Sequence, residues 1–94
     1  MKLRFTLEAL THVAGIHFYI ESRSSRAATR IVERIFAEAD RIAQFPQIGH
    51  VGAVPGTFEW TVRGFPYIIV HEIDADGDQV IVLGVFHGAQ KRSQ

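Results

Sequence analysis

Ninety-four residues, 47% apolar and 21% charged, describe one globular domain (1–94) rather than a disordered chain, large enough to bury roughly 60 to 65% of its unfolded surface. Ten basic side chains balance ten acidic ones, so the whole molecule lacks the positive field of a protein that lives on phosphate backbones. The absence of cysteine excludes disulfides and thiolate metal sites. No stretch approaches the roughly 20 apolar residues that span a bilayer, and MKLRFTLEAL lacks the apolar core of a signal peptide, so a soluble cytoplasmic protein is expected.

Leu3 and Phe5 alternate with Lys2 and Arg4, the period of a half-buried strand. Thr6 then suits a helix N-cap, with Glu8 in the first turn where the helix dipole favours a negative charge. From Leu7 to about Glu21 the residues Ala9, Leu10, Val13, Ile16, His17 and Ile20 fall on one broad face. Phe18 and Tyr19 lie outside that face. Phe18 is read as core against a second layer, and Tyr19 as either core or an exposed patch awaiting a partner.

The polar interval Ser22-Arg23-Ser24-Ser25 separates this helix from a second, running to about Gln44. Ala28, Val32, Ile35, Ala39 and Ile42 form its inner stripe, widened by Ile31 and Phe36. Arg34, Glu38 and Arg41 are spaced for ion pairs along its surface. So short a break predicts an antiparallel helical hairpin. Pro46 ends the second helix, and residues 46–57, with two prolines and three glycines, read as a long loop without regular structure.

Next, Phe58, Trp60 and Val62 alternate with Glu59, Thr61 and Arg63, placing Arg63 away from the helices. A turn at Gly64-Phe65-Pro66 leads to YIIVHEI, apolar enough for the centre of a sheet; DADGD makes a hairpin turn; VIVLGVF is the most buried strand, with Gly84 marking a bulge or close approach. The order β-α-α-β-β-β predicts an α+β domain, a helical hairpin packed on one face of a small antiparallel sheet.

Charge is unevenly spread. Residues 22–36 hold Arg23, Arg26, Arg30 and Arg34 against Glu33, read as a solvated helix face, whereas residues 59–78 hold Glu59, Glu72, Asp74, Asp76 and Asp78 against Arg63. The aspartates resemble the start of a calcium loop but lack its later glutamate and flanking helices. No two histidines have the helical spacing of a metal site, and neither a nucleotide-binding glycine loop nor a nucleophile elbow occurs, so no metal and no cofactor are expected. Arg63, His71 and His87 remain. Gathered on a concave sheet, an arginine and a histidine could cleave RNA by general acid–base chemistry, although His71 reads more simply as a strand residue with a satisfied ring nitrogen.

The basic second helix SRAATRIVERIFAEADRIAQFP, the FPQIG step, the VRGFPYIIVHEID strand pair and the closing VIVLGVFHGAQKR together resemble the RelE/ParE superfamily of bacterial type II toxins, over nearly the whole chain. The resemblance implies a toxin neutralised by a cognate ParD-like antitoxin in a hetero-oligomer, with DNA reached only through the antitoxin and no membrane involved. Two branches differ in activity. RelE-like toxins cleave mRNA on the ribosome; Arg63 matches their arginine, but Ile68 stands where a basic residue often occurs, His71 where a tyrosine is common, and no tyrosine follows His87. ParE-like toxins have no catalytic site and poison DNA gyrase by binding, and their ending is similar to His87-Gly88-Ala89 followed by charged residues. The ParE-like branch is therefore expected, with Arg63, His87, Lys91 and Arg92 as target contacts. Arg63 and His87 would be catalytic only in a nuclease. Phe18, Tyr19, Arg30, Arg34 and Trp60 are the candidate antitoxin contacts, and a degenerate member that only sequesters antitoxin is the third possibility.

Overall fold

The computed structural model describes residues 1–88, in the order β1 (Lys2–Phe5), α1 (Leu7–Glu21), α2 (Ser25–Gln44), β2 (His50–Val51), β3 (Thr57–Thr61), β4 (Tyr67–Asp74) and β5 (Gln79–His87). Both helices start where their caps predict. The Thr6 hydroxyl accepts from the Ala9 N–H at 3.0 Å and the Ser24 hydroxyl from the Ala27 N–H at 3.1 Å, each satisfying a backbone donor that the first turn leaves without a partner. Phe45 leaves helical geometry immediately before Pro46.

The helices pack on one sheet of order β1-β5-β4-β3-β2, the expected α+β layout. The sheet is mixed rather than wholly antiparallel. β1 runs parallel to β5, with Leu3 opposite Val80 and Phe5 opposite Val82, while the other pairs are antiparallel. Parallel neighbours need a long connection. Here the rest of the fold supplies it, which no local pattern in β1 could announce.

The core lies between the hairpin and the sheet. α2 contributes Ile31, Ile35, Ala39 and Ile42; α1 contributes Ala9 and Val13; Val62, Ile69, Val80, Val82 and Val85 come from the sheet layer. Phe36, expected in the stripe, lies at its margin with its ring 5.1 Å from that of Phe5. Phe18 is a correction. It is 78% exposed, because Ala9, Val13, Ile16 and Ile20 already fill the inner face of α1 and no second layer covers its outer face. The helix-surface ion pairs of α2 are also absent. Among the described residues only His17 and Glu21 stand at ion-pair distance, 3.6 Å; Glu38 instead accepts from the Trp60 indole N–H at 2.8 Å, and Arg34 donates to the Arg63 carbonyl at 3.1 Å.

Within the long loop, β2 pairs with β3, His50 opposite Glu59 and Val51 opposite Phe58. Gly49 leads into it at φ +92°, where a Cβ would run into the Glu59 carbonyl. The hairpin after β4 is closed by the Asp74 carboxylate, which accepts from the Gly77 N–H at 3.1 Å and the Gln79 side-chain amide at 2.9 Å. Its left-handed residue is Asp78, at φ 53°, rather than glycine. No helix among the described residues is long and apolar enough to cross a membrane.

Candidate functional site

The last strand outruns its neighbour, and this shapes the site. β1 stops opposite Val82, so beyond that point one edge of β5 has lost its strand partner. α1 takes over. The Thr6 N–H donates to the Val82 carbonyl at 3.0 Å, the Thr6 hydroxyl reaches the Leu83 carbonyl at 3.4 Å, and Nδ1 of His12 accepts the Val85 N–H at 3.1 Å. The imidazole thus stands in for a missing strand carbonyl, with its proton on Nε2. β5 also carries an extra residue at this level, since Val70 pairs with Gly84 but His71 pairs with Val82. Gly84 combines both expected roles, bulge and close approach: a Cβ there would lie 2.7 Å from the Phe86 ring and 3.1 Å from that of His12.

Between α1 and the end of β4 and β5 this leaves a groove of about 650 Å³, its walls including His12, Ile16, Tyr19, Tyr67, Phe86 and His87. Tyr67 and His87 face each other across the strand pair, rings edge to face at 5.4 Å. Burial, with a smaller contribution from Tyr19 opposite, pushes the Tyr67 hydroxyl above its ordinary value, so it remains a neutral hydrogen-bond donor. Among the described residues the groove lining contains no Arg, Lys, Asp or Glu. These residues offer an aromatic or apolar segment a surface with a few hydrogen-bonding groups.

Of Arg63, His71 and His87, only the last lines the groove, although the turn that carries Arg63 is bonded to Gly88 through the Pro66 carbonyl at 2.7 Å. Arg63 is exposed on the turn between β3 and β4, outside the groove lining, with its backbone held by Arg34. His71 is wholly buried on the helix-facing side, stacked on Phe58 at 5.5 Å, its Nε2–H donating to the Pro46 carbonyl at 2.9 Å. Its Nδ1 is buried without a partner, and burial holds its pKa below the ordinary value, so it is neutral and structural.

The remaining candidates form two surfaces. Phe18, 78% exposed, faces outward from α1 with Leu7, while Tyr19, 59% exposed, and Leu10 lie on opposite flanks of the helix. Arg30 and Arg34 line a small pocket of about 300 Å³ with Glu33, Ala37 and Phe65, beside the Arg63 turn. Trp60 is half-buried against the core and tied to Glu38. Lys91 and Arg92 lie outside the described residues, as does Ala89. Sequence reasoning missed His12 and Tyr67 as builders of the groove. The only signal was that β1 is shorter than β5, leaving strand N–H groups for a helix side chain to meet.

Comparison with known proteins bears on this arrangement. Residues 3–92 match the family described as ParE toxin of type II toxin-antitoxin system, parDE. The Sinorhizobium fredii protein named "Putative toxin Y4kP" is 37% identical over 93 residues, covering 99% of this chain and 94% of that protein. Among solved structures, a chain of the chromosomal ParDE toxin–antitoxin system from P. aeruginosa superposes with a TM-score of 0.82 at 20% identity, over 93% of this chain and 95% of that one. The isolated E. coli RelE toxin gives 0.69 at 18% identity, over 99% and 87%. These two likenesses speak for the fold.

Proposed function

The chain belongs to the ParE toxin family of type II toxin–antitoxin systems, and from that premise we propose that it inhibits DNA gyrase in the cytoplasm by binding rather than by catalysis, and is held inactive by a cognate ParD-like antitoxin. The observation that supports this reading is that neither Arg63 nor His71 lines the His87 groove. General acid–base cleavage of RNA needs a proton-transfer group and a cation around one phosphate. The groove instead presents aromatic rings, a neutral Tyr67 hydroxyl and two imidazoles, a lining suited to a protein target. Arg63 and His87 are target contacts in this reading, with Lys91 and Arg92 continuing the chain beyond them.

The antitoxin docks on the outer face of α1. Leu7 and Phe18 stand exposed on that face, flanked by Leu10 on one side and Tyr19 on the other, and an amphipathic segment laid across it buries them. The test is direct. Purified toxin should block gyrase supercoiling and leave mRNA on translating ribosomes intact, and His87→Ala should weaken the block. Cut mRNA with supercoiling untouched would overturn the proposal in favour of a RelE-like nuclease; inertness in both assays, with the antitoxin still bound, would identify a degenerate member.

A further inference from the structure

The formal charge of zero conceals a segregation of charge. Arg23, Arg26, Arg30 and Arg34 follow one another at steps of three or four residues, all exposed, along one edge of the hairpin. Arg34 brings that row to the β3–β4 turn, where Arg63 is also exposed. Asp74, Asp76 and Asp78 lie at the far end of β4, eight residues of strand away, or roughly 26 Å. The arginines thus gather at one end of the hairpin, whereas the aspartates share theirs with Lys2 and Arg4 of β1.

Among the described residues no carboxylate lies within 4 Å of any of these arginines: Glu33, which shares a pocket with Arg30 and Arg34, forms no ion pair with them, and Glu38 is turned to Trp60. One arginine has a neutral engagement only, the Arg23 guanidinium standing 5.1 Å over the Tyr19 ring. Along the helix, four residues advance about 6 Å, so Arg26, Arg30 and Arg34 present guanidinium groups at near-regular intervals, each able to grip an anionic oxygen pair. The surface between them is small or polar at Ala27, Thr29 and Ala37. An acidic peptide needs apolar anchors to bind firmly, and the row has only Phe65 beside Arg30 and Arg34, the larger exposed apolar groups being on α1. A phosphate backbone needs no anchors, only a row of charges in register.

We propose that the arginine row Arg23-Arg26-Arg30-Arg34, extended by Arg63, is a docking surface for the sugar–phosphate backbone of duplex DNA, contacted by the toxin itself without sequence readout. This departs from the expectation that DNA is reached only through the antitoxin, and it holds whichever cellular target the toxin inhibits. Apart from Arg23, which stands over the Tyr19 ring, the row does not touch the residues that line the groove at His87.

The chain, free of antitoxin, is titrated into a fluorescein-labelled mixed-sequence duplex of about 30 base pairs and followed by anisotropy at several salt concentrations. Four phosphate contacts predict a slope of log K against log salt of about −3.6, hence roughly 150-fold weaker binding at 200 than at 50 mM salt. R26A/R30A should make that slope shallower by about 1.8 and weaken binding at least about tenfold at 50 mM, with an unchanged melting temperature. R26K/R30K should keep the slope. The proposal fails if the duplex does not bind at 50 mM salt, or if R26A/R30A leaves the slope unaltered. It also fails if a polyglutamate peptide binds the same row more tightly than the duplex does, which would assign it to an acidic protein segment. Because gyrase is absent from this assay, its outcome is independent of the supercoiling test.

Discussion

The two helices cover the same sheet, yet their outer faces are opposites. α2 buries Ala28, Ile31, Ile35, Ala39, Ile42 and Ala43 and turns its charged residues to solvent, the ordinary compromise of a surface helix. α1 buries only Ala9 and Val13 fully and exposes Leu7, Leu10, Phe18 and Tyr19. Each helix is tied to the sheet through one histidine, but in reversed roles. His12 of α1 accepts a hydrogen bond from the backbone of β5, whereas the Pro46 carbonyl after α2 accepts one from His71 of β4. The difference lies in what each helix leaves uncovered: α2 is anchored by its inner face, and α1 keeps large apolar side chains exposed.

The sharpest way to break that comparison is to truncate one apolar residue on each helix. Ile35→Ala removes a fully buried side chain from the centre of the core, and should cost about 3 kcal/mol, lowering the melting temperature by roughly 15 °C. Phe18→Ser removes a larger side chain from α1 but should change stability by less than about 0.5 kcal/mol. Its effect should fall on association instead, with antitoxin affinity reduced about 30-fold or more if Phe18 anchors the interface. Urea denaturation and calorimetric titration with the antitoxin separate the two. A Phe18 variant that is markedly unstable, or that binds antitoxin normally, would remove α1 from its assigned role.

A second substitution probes the tie of α1. His12→Ala leaves the Val85 N–H without its acceptor beside a half-buried strand end, and should cost about 1 to 2 kcal/mol. Amide hydrogen exchange gives the local signature. Val85 and its neighbours in β5 should lose protection while the paired residues of β4 and β3 keep theirs. Uniform loss across the sheet would mean that His12 acts through global stability alone. Because His12 and Phe86 both line the groove, gyrase inhibition should weaken with it.

How much of this was legible in the sequence follows from the range of the interactions. Thr6, Ser24 and Pro46 act within one helical turn, so both helices could be placed from their caps. The α2 stripe is one-sided and identified its buried face correctly. α1 is apolar on both sides, so its periodicity could not say that Phe18 faces water. β2 has two residues, too few to show a period, and exists through its pairing with β3. The parallel entry of β1, the His12 bond to Val85 and the turning of Glu38 to Trp60 each join residues far apart in the chain, and nothing local encodes them. For the site, the sequence singled out His87 and left Tyr19 open to exposure, but read Phe18 as core. It could not foresee that Tyr67, a core strand residue by pattern, would share a groove with Tyr19.

The tie below α2 has no expected effect near neutral pH and a definite one in acid. Unfolded, His71 takes up a proton near its ordinary value of 6.5; folded, its burial holds that value lower, against a smaller opposing effect of its hydrogen bond to Pro46. Between the two values the unfolded chain binds a proton that the native chain refuses, so stability increases with pH across that window. The contribution of neutral His71 is thus complete above about pH 6.5 and is lost as the pH falls from there toward the folded value. His71→Gln tests this, since the glutamine amide can still donate to the Pro46 carbonyl from the position of Nε2 but does not titrate. Urea midpoints measured at pH 7.5, 6.5 and 5.5 should fall more steeply for the native sequence than for His71→Gln, and the two should be nearly parallel above pH 7. An equal acid slope in both would move the titration to other groups and leave His71 a packing residue, with its bond to Pro46 formed at every pH at which the fold persists.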